Sequence, residues 1–187
     1  MILPIYIYGQ PVLRQISKDV DIDNNREELS KLAADMFETL DRSTGIGLAA
    51  PQIGKSIRVV VIDLDIISED MPEYKGFRHV FYNAHILETN DETESMDEGC
   101  LSLPGLSETV TRPTKIKVSY YDEDFQHHEE WVEGYLARVM QHEFDHLEGR
   151  LYIDHITAFR RKMIQGKLNN FLKGKARCSY KVKTVKA

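Results

Sequence analysis

Six consecutive residues, Gln141-His142-Glu143-Phe144-Asp145-His146, constrain this chain more tightly than any other stretch. They sit inside Gly134–Leu147, where Leu136, Val139, Met140 and Leu147 form an apolar stripe that predicts a helix packed on a core. With about 3.6 residues per turn, side chains four apart lie one above the other, so His142 and His146 can reach one ion. Glu143 follows the first imidazole, where a carboxylate can act as acid or base toward an activated water. The competing reading of so short a pattern is a surface helix that happens to be rich in histidine and acid. The flanking apolar residues weigh against it.

Two histidines leave a catalytic metal centre incomplete, because such centres usually take three protein ligands and keep one position open. The long metalloprotease pattern H-E-x-x-H-x-x-G-x-x-H fails here: Gly149 is in place, but position 152 is Tyr152, and His155 falls three residues out of register. A downstream glutamate, as in thermolysin-like proteases, also fails, since no carboxylate follows Asp154. The remaining candidate lies upstream, in Glu98-Gly99-Cys100-Leu101-Ser102. A thiolate is a strong ligand for a divalent transition metal. For a cysteine taken alone, a buried and inert role is the competing reading. A position between Gly99 and Pro104, read as a loop, is unusual for a core filler.

Length and composition narrow the class. A chain of 187 residues with 29% charged and 42% hydrophobic residues fits one globular domain, 1–187, and excludes wholesale disorder. No apolar run approaches the roughly 20 residues needed to cross a bilayer. Met1-Ile2-Leu3-Pro4 lacks the pattern of a secretory signal, and two cysteines 78 positions apart make no disulfide framework. A cytoplasmic location without membrane attachment is the expectation. The net charge of −6 is unevenly spread, because ten of the 24 basic residues fall within 157–187, where no acid occurs. That segment is locally cationic on an otherwise acidic body.

Along the chain, Leu29, Leu32, Met36 and Leu40 predict a helix over 26–40, with Asn25 and Glu28 at capping-box spacing. Gly45 and Gly47 read as a loop, and Pro51 as a barrier to renewed helix. The β-branched run 57–64 predicts a buried strand, while 66–78 reads as a surface loop. Further strands are expected at 80–87, at 115–121 with Ile116, Val118 and Tyr120 alternating, and at 129–133. Strands between helices without regular βαβ alternation indicate an α+β class.

Three segments in order resemble the peptide deformylase family: Gly45-Ile46-Gly47-Leu48-Ala49-Ala50-Pro51-Gln52, Glu98-Gly99-Cys100-Leu101-Ser102 and Gln141-His142-Glu143-Phe144-Asp145-His146-Leu147. Gly9-Gln10-Pro11-Val12-Leu13-Arg14 precedes them in the matching place, and the resemblance covers roughly residues 5–165. It implies mixed or antiparallel sheets around a central helix that carries the H-E-x-x-H residues, with an N-terminal and a C-terminal helix. It implies a hydrolase that removes the formyl group from N-formylmethionyl nascent peptides and releases formate. It implies one divalent metal ion held by Cys100, His142 and His146, natively Fe2+, with Ni2+ or Co2+ as stable substitutes and Zn2+ often less active. Glu143 is then the proton carrier, and the Gln52 side-chain amide with the Leu101 N–H forms an oxyanion hole. Gly45, Ile46, Gly47 and Val139 become the substrate-binding residues, and Arg112 the partner of Glu98. The glycines would let a substrate backbone come close.

Residues 156–187 read as a basic helix and tail, with Phe159, Met163, Leu168 and Phe171-Leu172 as an apolar stripe interrupted by Gly166. For a family acting on nascent chains, contact of this helix with the ribosome is the expectation. Ser179–Val185 reads as a terminal strand or a disordered end, and Cys178 has no evident metal partner. His79, His85, His127, His128 and His155 lack ligand spacing, and Arg138 is placed near the pocket, where substrate contacts could vary. An endopeptidase and a structural zinc protein are the rival classes.

Overall fold

The computed structural model describes residues 1–185. In chain order its elements are β1 (Ile5–Tyr6), α1 (Ile22–Asp41), β2 (Gly47–Ala49), β3 (Val59–Asp63), β4 (Arg78–Thr89), β5 (Thr93–Cys100), β6 (Leu103–Pro113), β7 (Lys115–Tyr121), β8 (His127–Glu133), α2 (Gly134–Leu147), α3 (Ala158–Leu172) and β9 (Val182–Lys183). The class is α+β, as expected. Five strands form one antiparallel sheet in the order β2-β3-β4-β7-β8, β5 and β6 form a separate hairpin, and β9 pairs parallel with β1.

Strand β3 shows why this sheet needs a helix on each face. All five of its residues are buried, and successive side chains on a strand point to opposite sides. Val60 and Ile62 pack with Val139, Met140 and Phe144 of α2, whereas Val59 and Val61 pack with Leu29, Ala33, Met36 and Leu40 of α1. A third cluster joins Leu103, Leu106 and Val110 of β6 to Leu151, Tyr152 and Ile153 and to Ile164, Leu168 and Phe171 of α3. The H-E-x-x-H helix therefore lies between the large sheet and the hairpin.

Several expectations need correction. Helix α1 begins at Ile22, capped by the Asp21 carboxylate, which accepts from the Asn24 N–H at 3.3 Å. Asn25 lies inside it at a kink (φ −130°), so the spacing to Glu28 is not a cap. The stretch read as a loop around Gly47 includes edge strand β2, and Pro51 stands at the start of a short 3-10 turn, where its missing N–H costs nothing. Cys100 ends strand β5 rather than sitting in a loop, and Leu101-Ser102 make the turn to β6. Periodicity missed β5 because only Glu98 of its eight residues is buried. His127 and His128 open β8, with the turn lying before them, and His128 stacks on Tyr120 at 5.2 Å between ring centroids. On α3 the buried face is Ile164, Leu168 and Phe171, while Phe159, Met163 and Leu172 are exposed. The tail ends in a strand, β9.

Candidate active site

Helix α2 places both imidazoles by its own spacing, and the hairpin brings the sulfur. Cys100 Sγ lies 3.4 Å from His146 Nε2, and one ligand atom from each of Cys100, His142 and His146 falls within 4.8 Å of the others. His142 Nδ1 is paired with Glu98 Oε1 at 2.8 Å, which fixes the ring and turns its other nitrogen toward the cluster. His142 also stacks on Tyr152, with ring centroids 5.9 Å apart. The residue that broke the protease register thus backs the first histidine, and its hydroxyl donates to the Leu106 carbonyl of β6 at 2.9 Å.

Glu98 is the anchor of the hairpin. Its carboxylate accepts from Arg112 Nε and Nη2 at 2.7 and 2.9 Å and from Arg138 Nη1 at 2.8 Å. Burial alone would raise its pKa, but the bonds from His142 and Arg112 hold it far below the usual carboxylate range. Arg112 reaches on to Asp145 at 2.8 Å, and Asp145 accepts from His155 at 2.7 Å. Two further side chains join this network, and Arg138 also borders the cavity beside it, where it is expected. Arg138 is buried and spends its donors on Glu98 and the Val110 and Glu94 carbonyls, so it ties the helix to the hairpin. His155, read as a lone residue, buttresses the same network. Neither role has a signal in spacing: the partners of Arg138 lie 28 to 44 residues away, and His155 meets Asp145 only through the turn that follows α2.

Glu143 is buried, and its Oε2 has no hydrogen-bond partner. Burial pushes its pKa up to about 7. Gly47 presses against it: a Cβ at Gly47 would sit 2.5 Å from Glu143 Oε1. At Gly45 a Cβ would sit 2.7 Å from the Leu101 side chain. The protein's own side chains thus already come close to both glycines, which also line the cavity. Gln52 is held by the Ala49 N–H donating to its Oε1 at 2.9 Å, which points its Nε2 at Ser102 Oγ (3.2 Å) and Cys100 Sγ (3.4 Å). These groups surround a cavity of about 780 Å³, lined by Gly45, Ile46, Gly47, Gln52, Cys100, Leu101, Val139, His142 and Glu143. His146 lies behind its wall, and the tail residues 177–180, which no sequence reading placed here, line its far side.

The donor set suits a divalent transition metal, with one soft sulfur and two imidazole nitrogens. Its charge balance also suits a cation. Burial disfavours a charged His142, yet hydrogen bonds to Cys100 and Glu98 and the nearby Glu143 hold its pKa well above the ordinary value. Burial and the neighbouring His142 push His146 down to about 3, leaving it neutral, and its Nδ1 has no partner. The cluster thus draws a positive charge into its middle.

Fold and site together define an α+β enzyme of the kind built on an H-E-x-x-H helix facing a cysteine from a hairpin. The family model for polypeptide deformylase matches residues 2–162. A peptide deformylase of Flavobacterium psychrophilum is 43% identical over 99% of this chain and 98% of its own length. Among solved structures, the peptide deformylase of Thermus thermophilus superposes with a TM-score of 0.79 at 37% identity, covering 91% of this chain and 97% of that one. The Thermotoga maritima peptide deformylase gives 0.74 at 41%, covering 84% and 99%. The chain belongs to the peptide deformylase family. Among the described residues, no helix is long and apolar enough to cross a membrane.

Proposed function

We propose that this chain is a metal-dependent hydrolase that removes the formyl group from N-formylmethionyl nascent peptides. Cys100, His142 and His146 would hold one divalent ion, Fe2+ natively, with Ni2+, Co2+ or Zn2+ able to replace it. A formamide resists neutral water because it is a stabilised amide with a poor leaving group, and the ion supplies a nucleophile near neutral pH and polarisation of the carbonyl. Glu143 takes the proton of the attacking water and delivers it to the departing methionine nitrogen. Its burial supports this role, because a carboxyl poised near pH 7 can both accept and return a proton. Gln52 Nε2 and the Leu101 N–H donate to the oxygen on which negative charge builds, each worth about 3 kcal/mol in the transition state. Ile46 and Val139 flank the methionine side chain, and Gly45 and Gly47 keep Leu101 and Glu143 in position.

The observation that carries the reading is Glu143: a buried carboxyl facing the cavity beside a Cys-His-His cluster, its Oε2 without a hydrogen-bond partner. The deciding experiment measures formate release from a formylmethionyl peptide together with metal content on the same sample. Glu143→Ala is expected to keep its metal and lose activity. Cleavage of unformylated peptides by the wild type would indicate an endopeptidase instead. Loss of fold on chelation alone, without any formate release, would indicate a structural metal.

We further propose a cytoplasmic enzyme that meets its substrate at the ribosome through α3. Phe159 and Met163 are 71% and 60% exposed on a helix without acidic residues. Arg160 and Arg161 are engaged by Glu108 and Asp154, so the contact would fall to the exposed Lys162, Lys167 and Lys173. Cosedimentation with ribosomes that weakens with salt, and weakens further on Lys162→Glu, tests this.

A further inference from the structure

The family model ends at residue 162, yet the chain beyond it returns to the site. After α3, Gly174 turns the backbone at φ +74°, with the Val185 carbonyl oxygen 2.8 Å from where a Cβ would stand. A side chain there would be strained twice over. Strand β9 is then fastened to β1, the Ile5 N–H donating to the Lys181 carbonyl at 2.9 Å and the Ile7 N–H to the Lys183 carbonyl at 3.0 Å. Gln10 Nε2 adds a bond to the Thr184 carbonyl at 2.7 Å. Between these two fixed points, Arg177, Cys178, Ser179 and Tyr180 run along the cavity that holds Cys100, His142 and Glu143.

Tyr180 does more than fill space. Its side chain packs in the cluster that contains Leu101, and its hydroxyl donates to the Leu101 carbonyl at 2.8 Å. The Tyr8 N–H donates to the next carbonyl, that of Ser102, at 2.9 Å. The turn between Cys100 and Leu103 is thus held through two successive carbonyls, one by each end of the chain. The other side of this turn presents Cys100 and the Leu101 N–H, and among the described residues that N–H donates to no protein acceptor.

We propose that the C-terminal tail, residues 177–180, is one wall of the substrate cleft and that Tyr180 is a positioning residue that holds Leu101 in register with Cys100. This rests on the deformylase reading above. With the formyl group at Cys100, His142 and Glu143, the exposed Arg177, Cys178 and Ser179 face the residues that follow formylmethionine. The tail therefore contributes to recognition of the peptide beyond its first residue, by contact with an extended backbone rather than with the methionine.

The test uses the full-length, metal-loaded enzyme. Tyr180→Phe removes the one hydroxyl, and kcat is expected to fall about tenfold with KM and metal content unchanged, less than the roughly 10²-fold that an ångström of misplacement costs. Amide hydrogen exchange at Leu101–Leu103 is expected to rise in the same variant while that of α2 does not. Cys178→Trp narrows the wall and is expected to raise KM severalfold for a formylmethionyl tripeptide but not for formylmethionine amide. In Glu143→Gln, which binds without turnover, the tripeptide is expected to slow alkylation of Cys178, followed by mass spectrometry. Unchanged kcat and unchanged exchange in Tyr180→Phe overturn the positioning role. Unchanged KM in Cys178→Trp together with undiminished alkylation overturn the wall. A wild type that releases no formate from either substrate overturns the deformylase reading, and with it the wall, whereas hydrogen exchange at Leu101–Leu103 in Tyr180→Phe still judges the hold of Tyr180 on the turn.

Discussion

Helix α2 and the β5–β6 hairpin supply the two halves of one site by opposite means. Nine of the fourteen residues of α2 are buried, among them Val139, Met140, Phe144 and Leu147 against the large sheet. Its histidines are placed by helical spacing, and apolar burial holds the helix where it is. Strand β5 buries Glu98 alone among its eight residues. Its sulfur is kept in reach by Arg112 and Arg138 on Glu98 and by the Tyr152 hydroxyl on Leu106. Apolar packing is spread over many atoms and degrades gradually, whereas a polar clamp fails when one partner is removed and the other is left buried and charged. The helix should tolerate substitution at its packing residues, and the hairpin should not tolerate it at its clamp.

The largest effect tests the helix's chemistry apart from its packing. Glu143→Gln keeps size and burial, and is expected to lower kcat by about 10²–10⁴-fold while leaving bound metal and melting temperature close to the wild type. A variant that also lost its metal would break the distinction between the proton carrier and the ligands. Next comes the clamp. Arg112→Ala leaves Glu98 and Asp145 without their shared guanidinium and is expected to cost about 3–5 kcal/mol in denaturant unfolding. On α2, Met140→Leu conserves volume at a fully packed position and should cost less than about 1.5 kcal/mol. Equal losses for the two would erase the contrast drawn above. Gly47→Ala falls between those two. Its Cβ would stand 2.5 Å from Glu143 Oε1, so the carboxylate must move. A loss of about 10²-fold in kcat is expected at near-normal KM, the cost of roughly an ångström of displacement at a reacting group.

The same contrast explains what could be read before any coordinates were known. Helix α2 runs over the residues its periodicity marked, Gly134–Leu147, and β7 over Lys115–Tyr121, because in both the apolar spacing is set by the face that is buried. Strand β5 carries no such pattern, since the polar side chains it shows to solvent leave nothing to alternate. The Glu98–Arg112 pair is reachable only through family resemblance; Arg138 is placed near the pocket but not on Glu98, and His155 and Tyr152 gain no role, because these contacts exist only after β6 and the 151–155 segment have closed on α2. Tail residues 177–180 were hidden for a related reason. What brings them to the cleft is a parallel pairing of β9 with β1 across nearly the whole chain, which leaves no trace in local spacing.

The segment between α2 and α3 joins the two halves, and it offers the mildest test. Tyr152 stands with its ring behind His142 and its hydroxyl on β6, while Asp154 pins the segment from the other side. The Asp154 carboxylate accepts from Arg14 at 2.6 Å, from the Leu151 N–H at 2.9 Å and from Arg161 at 3.2 Å. Burial would raise its pKa, but these donors win and hold it below the ordinary value of 3.8. A carboxyl depressed on folding adds stability that is fully present above its unfolded pKa and is lost as pH falls through its folded value. Asp154→Asn keeps the shape and removes the charge. With the side chain 28% exposed, solvent screening limits the loss to about 1 kcal/mol at neutral pH. The difference from the wild type should shrink as acid protonates Asp154, so that the two unfolding curves converge only once pH has fallen below the ordinary carboxylate range. A gap that stayed constant from neutral pH into acid would mean that the segment is held by the packing of Tyr152 and Ile153, as α2 is, rather than by charge, as β5 is.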